Sequence, residues 1–142
     1  MTLDTLGELN WLAVIVGAVL YFVLGAIWFM PAVLGRPWMR AIGIDPDAPR
    51  EAPGVSFYVA PLVFYVIAGI ATGMLAAATG SDDVGEGIIL GLVVGIGYAL
   101  MITAVDAVFD PNKPKPWVWF AISGAYHLIG LVIVAVLVSV WR

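Results

Sequence analysis

The sequence predicts an all-α membrane protein in which four transmembrane helices form one bundle, and two observations carry that reading. Of 142 residues, 63% are hydrophobic and only 11% are charged, against roughly 25% charged in an ordinary soluble domain, and the mean hydropathy is +1.05. The apolar residues also gather into four runs, at about 9–30, 57–79, 88–109 and 117–141. Each is close to the roughly 20 residues needed to cross about 30 Å of hydrocarbon. The runs are uniformly apolar rather than alternating, and unpaired backbone groups are intolerable in lipid, so helices are the conformation expected of them. At this length, residues 1–142 read as a single four-helix domain.

The first run follows a segment carrying Asp4 and Glu8 but no basic side chain. A cleaved signal wants a positive start, so this run is expected to stay as a permanent span. In the first connection, Pro37 is placed to start a short interfacial helix near 36–43 and Gly43 to end it. On that helix Trp38 is expected to dip into the bilayer with Met39, while Arg36 and Arg40, four apart, face lipid phosphates. Asp45–Gly54 is a loop by its prolines and acids. Pro61 is best placed in a first helical turn, which moves the expected start of the second helix toward Val59. The second connection, Gly80–Gly87, is short and acidic, and the third, Asp110–Pro116, is basic and ends at the interfacial anchor Trp117.

Orientation follows from the lysines and arginines of these connections. Arg36, Arg40 and Arg50 lie in the first and Lys113 and Lys115 in the third, whereas the second holds none. The first and third connections are therefore expected in the cytoplasm, with both termini outside. The stretches "FMPAVLGRPW" (29–38) and "FDPNKPKPW" (109–117) then read as two cytoplasmic helix stops with the same punctuation: a proline, basic residues and a tryptophan.

Small residues recur at every fourth position of the third run: Gly87, Gly91, Gly95, Ala99, Thr103 and Ala107. Such a stripe lets another backbone approach closely, the main glue available where lipid is as apolar as leucine. It predicts a central third helix. Gly69 and Gly73 repeat the pattern in the second run, so helices two and three are expected to pack across the acidic connection. Four spans enclose little volume, so association into a homo-oligomer or a larger membrane complex is expected as well as contact with the lipid bilayer.

Only Asp106 and His127 are ionisable near neutral pH inside the runs. Each is a candidate because a charged Asp at a helix centre costs about 2.5–3.5 kcal/mol on insertion scales. Asp106 shares a face with Thr103 and should point toward other helices. Two readings stand: an ion pair with Lys113, Lys115 or an arginine of the first connection, or a proton-handling role. His127 has Ser123 four residues before it, which suits a local hydrogen bond or, alternatively, a protonatable switch. A relay between the two would need water or Tyr98, Tyr126 or Thr103 as a bridge. One His and one Asp are too few ligands for a metal. No nucleophile elbow or phosphate loop appears, so no enzyme activity and no cofactor are expected. Six Lys and Arg and a net charge of −4 argue against nucleic acid as a partner.

Asn10-Trp11 opens the first run, and Gly25-Ala26-Ile27-Trp28-Phe29-x-Pro31-x-x-Leu34-Gly35-x-x-Trp38-Met39 closes it. This pattern, with the four-span layout, resembles the hallmark of the small bacterial membrane proteins grouped as domain of unknown function family 1761. The resemblance implies a multi-pass protein of a bacterial-type cytoplasmic membrane and brings no catalytic residues with it. The function expected is a non-enzymatic interaction or assembly component; the alternative is a small proton-coupled transporter or channel using Asp106 and His127.

Overall fold

The computed structural model describes residues 2–141, and four of its helices are long and apolar enough to cross a membrane. They are Trp11–Trp28, Ser56–Thr79, Val84–Phe109 and Pro116–Val140, and no strand occurs among the described residues. Asn10 starts the first helix because its side-chain Oδ1 accepts from Leu12 N and Ala13 N at 3.0 and 3.1 Å, taking up two of the donors a helix start leaves open. After Trp28 the chain enters a π turn, Pro31–Gly35, closed by Gly35 N donating to Met30 O at 2.9 Å. The short helix Arg36–Ala41 follows directly. A Cβ at Gly35 would run into the carbonyl oxygen of Phe29, so the turn requires glycine there. Gly43, at φ +77°, ends the short helix in the left-handed region where side chains are disfavoured.

Two boundaries differ from expectation. The second helix begins at Ser56, with Pro61 inside it rather than in its first turn; the proline removes one ladder bond, which a membrane helix tolerates. The third begins at Val84 rather than Ile88, because Asp83 caps it and the Glu86 carboxylate reaches back to the residue before the cap. Glu86 N donates to Asp83 Oδ1 at 2.8 Å and Asp82 N to Glu86 Oε2 at 2.9 Å. The acids that read as loop are the start of the helix.

The packing also corrects an expectation. The fourth helix is the hub, with 44% of its apolar window buried, whereas the third has 17%, the lowest of the four. First, second and fourth helices pack against one another, and the third docks on the fourth with only slight contact to the second. Its glycine stripe lies on the fourth helix: a Cβ at Gly87 would fall 2.7 Å from Val136 Cα, and one at Gly91 2.5 Å from Val132 Cα. Gly69 and Gly73 face the first helix and the segment before it, with Val14 and Leu9 as their respective nearest neighbours. The stripes thus mark real close approaches, but the partner of each is a different helix from the one expected.

At one end of the bundle the first and third connections interlock. Lys115 N donates to Ala41 O at 3.2 Å, and Gly43 lies against Pro114. This basic end is opposite an acidic end, where Glu8, Ala77 and Trp141 border a common cavity.

Candidate functional site

Among the large polar side chains packed between the helices, three tyrosines meet in one cluster. Tyr21 of the first helix is 2% exposed and Tyr126 of the fourth 3%. The Tyr21 ring stacks on Tyr65 of the second helix at 4.1 Å, and Tyr126 leans on both. Tyr126 Oη donates to Tyr65 Oη at 2.7 Å, with Tyr21 O at 3.3 Å as a weaker acceptor. Tyr21 Oη lies 2.7 Å from His127 Nδ1. A hydroxyl without a partner in an apolar medium costs several kcal/mol, and here the phenols and the imidazole satisfy one another across three helices. Glycines make the room: the Tyr21 ring lies against Gly130, and a Cβ at Gly25 would stand 2.7 Å from Tyr126 Oη.

The residues singled out in the sequence fall into separate places. His127 pairs with Tyr21 rather than Ser123. Ser123 Oγ instead accepts from Trp38 Nε1 at 3.1 Å, so Trp38 turns into the bundle and packs on Phe29 at 5.3 Å instead of toward headgroups. Thr103 Oγ1 bonds back to Ala99 O at 2.7 Å within its own helix. Tyr98 is 65% exposed on the outer face of the third helix. Trp117 is exposed at 61% and meets Phe120 edge-on. Arg36 pairs with Asp47, while Arg40 is exposed.

Asp106 does not point inward: its side chain is 52% exposed and meets Lys113 Nζ at 3.0 Å. Lys113, 9% exposed, also binds Asp110 and sits 4.2 Å from the Trp119 ring centre. The Lys113 hydrogen bond, helped by Asn112 N, holds the Asp110 carboxyl below its usual range. Burial pulls the Lys113 ammonium down, but its bonds to Asp110 and Asp106 outweigh that and leave it raised. Among the described residues no hydrogen bond joins this triad to His127. The geometry therefore gives two polar systems, a tyrosine clasp inside the bundle and a lysine clasp at its basic end.

The family model described as "Protein of unknown function (DUF1761)" matches residues 12–139. The chain belongs to that family. No curated protein and no solved structure matches it. In this DUF1761 chain the motif at the end of the first helix is a docking device. Gly25 admits the Tyr126 hydroxyl, Trp28 Nε1 donates to Ile122 O at 3.1 Å, Phe29 meets Tyr126 edge-on at 5.2 Å, and Trp38 reaches Ser123. Each of these contacts ends on the fourth helix. Reading the DUF1761 sequence alone missed Tyr21 and Tyr65. The available signal was their depth: tyrosine belongs in the interfacial belts of a membrane protein, and both stand well inside their helices.

Proposed function

We propose that this DUF1761 protein is a non-enzymatic component of a membrane assembly, and that the outer face of its third helix is the surface it offers to a partner or a second copy. Tyr98 carries the proposal. It stands near the middle of Val84–Phe109, 65% exposed, and its hydroxyl has no hydrogen-bond partner among the described residues. At that depth a phenol facing hydrocarbon forfeits its hydrogen bonds, at about 4–8 kcal/mol on water-to-cyclohexane scales, so an acceptor on a neighbouring helix is favoured. Gly97 beside it has nothing within 4 Å of its Cβ position, which leaves space for another backbone. Both residues lie within the π turn Gly95–Leu100, a distortion of a kind frequent at functional sites.

The test is association in lipid nanodiscs. Wild-type protein should migrate as an oligomer or carry a partner in fixed ratio, and Gly97→Leu with Tyr98→Phe should release it while the helical content is kept. A monomer without a partner, supporting a proton flux that Asp106→Asn or His127→Ala abolishes, would replace assembly by transport. We further propose a cytoplasmic-type membrane with the basic end in the cytoplasm, supported by Arg36, Arg40, Arg50, Lys113 and Lys115. The chain has no cysteine, so Asp82→Cys, exposed at the acidic end, should react with an impermeant maleimide from outside only; reaction from the cytoplasm alone would reverse the orientation.

A further inference from the structure

At the basic end the first and third connections carry Arg36, Arg40, Arg50, Lys113 and Lys115, and three of these are engaged within the protein. Arg36 pairs with Asp47, and Lys113 holds both Asp106 and Asp110. Arg50 donates to Asp45 O and to Met39 Sδ, each at 2.9 Å, and so folds its loop back on the short helix. Arg40 and Lys115 are exposed, and neither side chain has a hydrogen bond or ion pair among the described residues. The spacing of four sets Arg40 beside Arg36; the fold sets it beside Lys115. Lys115 N donates to Ala41 O at 3.2 Å, one residue past Arg40, and a Cβ at Gly43 would meet the Pro114 ring at 3.4 Å. These two contacts run the connections side by side, so the two unpaired cations branch from adjoining backbone. We propose that Arg40 and Lys115 clamp the phosphodiester group of one anionic phospholipid at the basic end of the bundle.

Depth points to a lipid. Lys115 immediately precedes the fourth span, Pro116–Val140, and Arg40 stands on the short helix that the π turn ties to the end of the first span. Both therefore lie where the headgroup layer meets the bundle. Exposure there is toward lipid phosphates, so the countercharge that the protein withholds comes from the membrane. Trp117, 61% exposed in the first turn of the fourth helix, presents an indole suited to the same layer. Charge then selects the head. Asp47, Asp106 and Asp110 are already engaged by Arg36 and Lys113, which leaves Arg40 and Lys115 their full charge. A zwitterionic lipid would bring its own ammonium group toward both cations, whereas phosphatidylglycerol brings only a phosphate. A guanidinium and an ammonium can each take a different free oxygen of that phosphate. The chain as a whole carries a net charge of −4 and would repel anionic lipid in bulk, so a preference for it requires a local site.

The clamp is independent of Tyr98, of assembly and of which end faces the cytoplasm. Its test is native mass spectrometry of the whole protein in a maltoside detergent, titrated with phosphatidylglycerol or with phosphatidylcholine. Tighter retention of phosphatidylglycerol is expected, weakened roughly fivefold by Arg40→Gln and by Lys115→Gln, the effect of one basic residue at an anionic surface. The double variant should treat the two lipids alike. Arg36→Gln removes the same charge from a side chain already paired, and should leave the preference in place. Both clamp side chains are exposed and without partners, so their replacement spares the fold, which melting temperature without added lipid checks. Equal retention of the two lipids by wild type, or an Arg36→Gln loss as large as that of Arg40→Gln, would overturn the clamp. Complete displacement of phosphatidylglycerol by glycerol phosphate, which has the charged group without the tails, would overturn the lipid in favour of a soluble phosphate.

Discussion

Two parts of this molecule are held together in different ways. The first, second and fourth helices are clasped by large side chains: Tyr21, Tyr65, Tyr126 and His127 stack and bond across all three. The third helix has no aromatic clasp of this kind and packs by close approach, with Gly87 and Gly91 against the backbone of the fourth and Leu90 in the shared core. Directional bonds fix the register of three helices. Van der Waals contact holds the third helix along one face and leaves its other face exposed. The difference suits a bundle with a rigid triad and one helix that meets its surroundings.

Tyr126→Ala should do the most damage, because it empties a nearly buried site and strips Tyr65 of a bond. A loss of about 3–5 kcal/mol is expected, as for other large aromatic truncations, read as a fall in thermal stability in detergent. Hydrogen exchange should then rise in the first and second helices before the third. Gly91→Leu should cost about 1–3 kcal/mol or more, since its Cβ alone would stand 2.5 Å from Val132 Cα. Here exchange should rise in the third helix while the tyrosine triad stays protected. If both variants loosened the whole bundle equally, the two parts would be one cooperative unit. Tyr126→Phe keeps the ring and removes only the hydroxyl, so a loss of about 0.6–1.7 kcal/mol is expected from hydrogen bonds between membrane helices.

The smallest effect concerns the lysine clasp, and it sets the pH range. Asp110 is depressed in the folded protein, so its contribution is present above its ordinary 3.8 and is lost as pH falls through the folded value. Lys113 is raised, so its contribution is present below its ordinary 10.5 and is lost as pH rises through the folded value. Between these limits the clasp should be intact. Lys113→Met should flatten the acid limb of a plot of melting temperature against pH; an unchanged limb would assign it to other groups.

The helices were legible because hydropathy over some twenty residues outweighs every local detail. The start of the third was hidden by the same rule: Asp82, Asp83 and Glu86 read as solvent-facing loop, although spacing three apart is also the mark of a cap. The glycine stripe announced a close approach without naming the neighbour, since a small residue fits any backbone equally. That ambiguity made the third helix look central when it is peripheral. Asp106 was legible as a partner of Lys113 by proximity in the chain. Tyr21 and His127 lie 106 residues apart, and no local pattern announces a pair at that distance. Trp38 carried the interfacial signal of every membrane tryptophan, and only the π turn before it aims its indole at Ser123.

The central proposal is that the outer face of the third helix, which the bundle leaves exposed, takes a partner. Single cysteines in this cysteine-free chain test it by cross-linking in native membranes, with Tyr98→Cys on the third helix against Ile67→Cys, 58% exposed near the middle of the second. Cross-links at 98 to a second copy or to one partner, and none at 67, are the result predicted. Equal cross-linking at both positions, or none at 98, would contradict it.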